Sequence, residues 1–162
     1  MKKFILFFIL YFFCSDIVAE SLYDFRNVNW GMTRIDVLAS EKMKPLKITE
    51  KYLSYKFEFM DSDIFLLYEF TGNSLLGARY VYDVSDNKKI LEVLNILKTK
   101  YGDYKKDAQG NFFWNTGSHT VRLETHGDIM KVLYKSLKIE KFDKELKRRF
   151  EKVREKKLLF IF

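Results

Sequence analysis

Apolar and polar positions divide the middle of the chain into two similar halves. The first half begins with a helix that Thr33 caps and that ends near Met43, before Pro45. Three strands joined by short turns follow it as an expected antiparallel meander, at residues 52–59, 64–70 and 75–82. In the second of these strands Phe65 and Leu67 are apolar too, which predicts a strand that is central or covered on both faces.

The second half repeats this order. Ser85, Asp86 and Asn87 are candidate N-caps for a helix over residues 88–101, which Gly102 ends as a left-handed C-cap. Three more strands are expected, at residues 112–114, 119–124 and 129–134. Residues 20–137 therefore predict a duplicated α+β domain: two helix-plus-three-strand antiparallel units in tandem, each sheet burying its aromatic face against a helix.

The last segment, residues 138–162, predicts a basic amphipathic helix with an apolar C-terminus. Its apolar residues recur at three- and four-residue steps, at Ile139, Phe142, Leu146, Phe150 and Val153. Residues 138–157 hold ten Lys or Arg against five Asp or Glu, so this helix carries most of the net charge of +7. Two interpretations stay open: the apolar stripe packs on the body, or it docks on anionic lipid or a partner groove. The candidate contact residues are Lys147, Arg148, Arg149 and Lys152.

The first 19 residues have the pattern of a secretory signal peptide. Lys2 and Lys3 precede an apolar run from Phe4 to Phe13 that is too short to span a membrane, and Ala19 offers a cleavage site. The chain is therefore expected in the periplasm or associated with the cell envelope. Lipidation at the single cysteine, Cys14, is disfavoured because a lipoprotein signal has a small residue before its cysteine, and Phe13 is bulky.

The sequence offers little catalytic chemistry. His119 and His126 fall beside predicted turns without metal-ligand spacing, so we expect two exposed turn histidines, no metal and no cofactor. Trp30 and Trp114 are expected to pack in the core. Glu69 interrupts an apolar strand, and a hydrolase built on Glu69 and Glu124 is the only enzymatic alternative that the residues suggest.

The stretch Asn27-Val28-Asn29-Trp30-Gly31-Met32-Thr33 is the most motif-like part of the chain. Thr33 begins a helix directly after the motif, and the strand meander follows. This combination resembles exported bacterial proteins of the SmpA/OmlA (BamE) type, accessory lipoproteins of outer-membrane barrel assembly, and the β-lactamase-inhibitor-protein-like fold that they share. The resemblance covers roughly residues 25–135 and implies a BLIP/BamE-like α+β fold, with a mainly structural role for Trp30, Gly31, Met32 and Thr33.

Together these patterns predict a non-enzymatic exported envelope protein that acts by protein–protein contact, as an adaptor, assembly accessory or inhibitor-like module. The expected partner is an envelope protein, and Tyr52, Tyr80 and Tyr82 are candidates for its recognition. The alternative is a protein that binds an anionic membrane or cell-wall surface through the basic helix. Nucleic acid is not an expected partner of an exported chain, and the oligomeric state stays open.

Overall fold

The computed structural model describes residues 23–59, 61–84 and 87–159. The signal peptide, Cys14, the candidate caps Ser85 and Asp86, and the last three residues lie outside this part of the chain. The elements, in chain order, are α1 (Arg34–Ser40), β1 (Lys47–Ile48), β2 (Tyr52–Phe59), β3 (Ser62–Thr71), β4 (Ser74–Asp83), α2 (Asn87–Tyr101), β5 (Lys105–Lys106), β6 (Phe112–Asn115), β7 (His119–His126), β8 (Ile129–Ser136) and α3 (Leu137–Leu159).

All the strands belong to one eight-stranded sheet, in the order β1-β2-β3-β4-β8-β7-β6-β5, and every neighbouring pair is antiparallel. The α+β class is confirmed. The prediction of three-stranded units, each with its own sheet, is wrong for two reasons. First, β4 pairs with β8 and joins the halves. Second, the two-residue strands β1 and β5 extend the edges, and they are too short to show periodicity.

One face of the sheet, here called the inner face, is apolar from strand to strand. Tyr55 lies opposite Leu66, Leu66 opposite Tyr80, Tyr80 opposite Val132, and Val132 opposite Leu123. Buried residues from α1, α2 and the segment before α1 complete this core: Phe25, Val28, Val37, Val93, Leu94 and Leu97. Because each fully buried large apolar side chain contributes about 1.5–3 kcal/mol, this shared core is the main source of stability.

The opposite face, here called the outer face, is more open. Phe65 is exposed there, and Leu67 is half-buried. The strand that carries them, β3, does lie inside the sheet, as expected. The alternative that β3 is covered on both faces is wrong, because the core helices pack against the inner face.

The start of α1 and the end of α2 follow their local signals, whereas α1 ends at Ser40, before the predicted end near Met43, because Glu41 is already extended. The Thr33 side chain accepts a hydrogen bond from the backbone N–H of Asp36, and the Asp36 carboxylate accepts one from the backbone N–H of Thr33, so the pair forms a capping box. Gly102 has a φ of +80° and donates its N–H to the carbonyl of Lys98 at 2.8 Å, which confirms the C-cap of α2.

We expect Gly77→Ala to destabilise the fold by about 2 kcal/mol. Gly77 lies on β4 beside β8, and a Cβ at this position would sit 2.5 Å from the carbonyl oxygen of Tyr134. The strands would have to separate where the halves join. Urea denaturation should show a lower midpoint with an unchanged slope. Ser74→Ala, on the same strand, adds no atom and is the control. Equal stability of the two variants would contradict the close approach.

Candidate interaction site

Helix α3 is held to the body by one flank near its start. Ile139 lies beside Gly31, and the Asp143 carboxylate accepts a hydrogen bond from the Thr71 hydroxyl at the end of β3. The Lys147 ammonium donates to the same carboxylate at 2.7 Å. These contacts place α3 next to β4, β7 and β8, at the end of the sheet.

Beyond this first contact, the apolar face of α3 that begins at Ile139 continues as the apolar stripe, defined as Phe142, Leu146 and Phe150. These side chains follow one another at four-residue steps, yet they are 62%, 38% and 68% exposed. Of the two interpretations left open, packing on the body is confirmed for Ile139 and is wrong for the stripe. The physical reason is that the inner face is already covered by α1, α2 and the segment before α1. The side chain of Val153 lies outside the described part of the chain.

Cations border the apolar stripe on one flank. At 100° per residue, Arg149, Lys152 and Lys141 lie about 60°, 120° and 140° from Leu146 on the side away from Asp143, and they are defined here as the basic flank. Arg149 pairs with Glu145 at 2.6 Å. Two of the four predicted contact residues, Arg149 and Lys152, thus lie together. Arg148 lies on the side of the helix opposite the stripe, and Lys147 lies on the anchored flank with Asp143.

The candidate tyrosines lie on different faces of the sheet. Tyr52 is on the outer face, where the Arg79 guanidinium lies over its ring at 5.7 Å. Tyr80 and Tyr82 are half-buried on the inner face, near α2. The structure therefore brings Tyr80 and Tyr82 together and separates Tyr52 from them.

A buried polar network beside Tyr80 was not predicted from the sequence. Arg26 donates from Nε and Nη2 to the Glu41 carboxylate at 3.0 and 3.3 Å, and Tyr68 donates its O–H to the same group. The Glu41 side chain is only 1% exposed. Burial opposes the charge of Arg26, but the hydrogen bonds with Tyr80 and Glu41 outweigh it and raise the Arg26 pKa. Burial also raises the pKa of Tyr68, and the Glu41 carboxylate adds to the effect.

The Trp30-Gly31-Met32-Thr33 motif ties the start of α1 to β4. Gly31 has a φ of +90°, a conformation that favours glycine, and its N–H donates to the Leu75 carbonyl at 2.9 Å. The Leu75 N–H donates in return to the Met32 carbonyl at 2.9 Å. Trp30 is half-buried and stacks on Phe25, and Trp114 is buried. The motif therefore positions α1 over the inner face.

One of the two histidines is not where the sequence predicts it. His119 is buried at the start of β7, between the rings of Trp30 and Tyr101, so the expectation of an exposed turn residue is wrong. Burial lowers its pKa. His126, at the other end of β7, is exposed as expected.

The carboxylates of the enzymatic alternative are far apart. Glu69 on β3 pairs with Arg79 at 2.9 Å, and Glu124 on β7 pairs with Arg122 at 3.4 Å. Three strand spacings separate β3 from β7, about 14 Å, whereas paired glycosidase carboxyls lie within about 9.5 Å. These two residues therefore cannot act as such a pair.

The described residues contain neither a metal-binding cluster nor a helix able to cross a membrane. No cluster of three or more His, Cys, Asp or Glu side chains there is arranged to hold a metal ion. Among the helices formed by residues 23–59, 61–84 and 87–159, none combines the length and the apolar character that crossing a membrane requires.

We expect acidification to loosen α3 from the body. Hydrogen bonds from Lys147 and Thr71 lower the pKa of Asp143 in the folded protein. The stabilisation is complete above the unfolded pKa of about 3.9 and is lost as pH falls through the lower folded value. Hydrogen-exchange protection factors of α3 should therefore fall below about pH 4 and stay constant near neutrality.

Asp143→Asn should show the same loss at neutral pH, with protection of α3 reduced about tenfold. Glu145→Gln is the matched control, because Glu145 pairs with Arg149 within the exposed part of the helix. Equal protection of α3 in the two variants would show that the Asp143 contact does not anchor the helix.

Comparison with known proteins adds no relationship. The chain matches no family model, no curated protein and no solved structure.

Proposed function

We propose that this protein is a non-enzymatic, exported component of a bacterial envelope that acts by contact with another protein, through the apolar stripe of α3. One observation carries the proposal. Phe142, Leu146 and Phe150 are exposed at four-residue spacing while the neighbouring flank of the same helix is fixed to the body through Asp143. A helix held in this way presents its apolar residues outward in a fixed orientation.

The stripe has the shape of a helix that binds in a groove. Anchors at four-residue steps are the pattern by which amphipathic helices enter apolar grooves. At 100° per residue, Phe142 and Phe150 lie about 80° apart around the helix, so the stripe is narrow. A groove that buried all three side chains would gain about 5 kcal/mol or more from apolar transfer. The basic flank favours a partner whose groove has an acidic rim.

The fold supports the same class of function. Each half has a helix, a two-residue edge strand and three longer strands, in the same order. We propose that the halves are BLIP/BamE-like tandem units, in keeping with the resemblance around Trp30-Gly31-Met32-Thr33, and that the protein serves as an adaptor, assembly accessory or inhibitor-like module. The proposed organisation is a signal peptide at 1–19, the duplicated domain at 20–137 and the C-terminal helix at 138–162.

Site-specific photocrosslinking tests this contact. A photoreactive residue at position 146, in the full chain expressed in its own cells, should give a protein adduct of discrete mass. The same residue at position 144 is the control, because Lys144 lies on the opposite side of α3 and is exposed. Phe150→Glu should suppress the adduct from position 146, since it places a charge in the stripe.

Three results would contradict the proposal of a protein partner: no adduct from position 146, equal adducts from positions 144 and 146, or an adduct that Phe150→Glu leaves unchanged.

An anionic membrane surface is the second candidate, and the basic flank favours it. Aromatic and aliphatic side chains beside Lys and Arg are typical of helices that lie in the membrane interface. Arg149 and Lys152 are exposed on that flank.

If the membrane candidate is correct, replacing both Arg149 and Lys152 by Gln should weaken binding to anionic vesicles about 30-fold, since each cation contributes about 1 kcal/mol near such a surface. Co-sedimentation with vesicles measures it. The control is Lys105→Gln with Lys106→Gln, which removes the same charge from the exposed strand β5. Equal binding by both double variants, or binding that added salt does not weaken, would exclude this candidate.

A further inference from the structure

An open cleft lies between the inner face of the sheet and α2, away from the apolar stripe. Its volume is about 240 Å³. Its walls are mainly apolar and aromatic side chains from β2, β4, β8 and α2, among them Phe57, Tyr82, Leu97, Val132 and Tyr134. Pockets for small molecules have this composition, a mostly apolar wall with a few polar groups.

The mouth of the cleft exposes apolar surface. Phe59, at the end of β2, is 44% exposed, and Ile96, on α2, is 49% exposed. Both residues line the cleft. Phe59 follows the alternation of β2, which points it to the same face as the buried residues Leu53 and Tyr55. A ligand in the cleft would cover the apolar surface of Phe59 and Ile96 that the core leaves exposed.

The polar groups of the cleft are hydrogen-bond donors. Arg26 and Lys100 both line it, and no carboxylate does among the residues that the structure describes. Two guanidinium nitrogens of Arg26 are engaged by Glu41, while Nη1 makes only a long hydrogen bond of 3.5 Å to the Tyr80 hydroxyl. Because the Tyr80 oxygen accepts this bond, its own O–H remains able to donate.

The balance of charge favours a single negative charge in the ligand. Glu41 is buried and neutralises Arg26, whereas Lys100 forms no ion pair within the described part of the chain; its ammonium group lies over the Tyr101 ring at 5.2 Å. The Arg26 guanidinium also lies over the Phe57 ring at 5.4 Å, which holds it at the edge of the apolar wall. A cationic subsite for the negative group and an apolar subsite are therefore side by side.

We propose that this cleft binds a small amphipathic carboxylate, with its head at Lys100, Tyr80 and Arg26 and its apolar chain along Phe57, Tyr82 and Val132. The volume of the cleft limits the size of the ligand. At about 30 Å³ for each water-sized group, the cleft holds roughly eight groups, which matches a medium-length acyl chain. A ligand of this size binds with a Kd of about 0.1–1 mM. This site is independent of the contact proposed for α3.

Titration of the full mature chain with octanoate, followed by amide chemical shifts, tests the proposal. Octanoate should shift Ile96 and Lys100 on α2 and Tyr80 on β4, and 1-octanol, with the same chain length and no charge, should bind at least about tenfold more weakly. Lys100→Met should weaken octanoate binding about fivefold or more and leave octanol binding unchanged. Lys98→Met is the matched control, because Lys98 is on the same helix and pairs with Asp103 outside the cleft.

A second pair of variants tests the apolar mouth without disturbing the core. Ile96→Glu should weaken octanoate binding about tenfold or more, since it brings a negative charge to the site. Leu91→Glu is the control, because Leu91 is also exposed on α2 but lies outside the cleft; this variant should bind octanoate as the unaltered chain does. Equal affinity for octanoate and octanol, equal effects of Lys100→Met and Lys98→Met, or shifts confined to the apolar stripe would each overturn the proposal.

Discussion

The pairing of β4 with β8 is the constraint on which the structure depends. It places Ala78 opposite Tyr134 and Tyr80 opposite Val132, so the apolar faces of the two meanders become one surface. An eight-stranded face of this width cannot be buried by one helix, and α1, α2 and the segment around Phe25 cover it together. The close approach at Gly77 belongs to the same junction. The two halves therefore share one core and stabilise each other.

This arrangement explains why the apolar stripe of α3 stays exposed. With the inner face covered, the last helix is fixed at the end of the sheet by Ile139 and by the polar contact of Asp143 with Thr71. A hydrogen bond of this kind contributes about 0.5–3 kcal/mol, less than burial of the three stripe residues would give. The stripe therefore leaves apolar surface unburied in the isolated chain, and in the function proposed above its burial would drive association with the partner.

Features that are fixed within a few residues were predictable, and features set by pairing over long distances were not. The capping box at Thr33 and the C-cap at Gly102 follow from local hydrogen bonds, and the long strands follow from alternation. Periodicity does not say which strand pairs with which, so the junction of β4 with β8 was missed. The same limit applies to His119, whose burial depends on Trp30, distant in sequence but adjacent in space.

The network of Arg26 with Glu41 shows the same dependence at the level of side chains. Arg26 has a φ of +51°, a conformation that costs a non-glycine residue about 1–2 kcal/mol. It is held there by the paired backbone of Phe25 and Val28 and by its two hydrogen bonds to Glu41. Glu41, in turn, could not be buried as a charged group without that partner. The two hydrogen bonds between Arg26 and Glu41 therefore offset both the backbone strain at Arg26 and the burial of Glu41. They also hold the guanidinium at the edge of an aromatic wall.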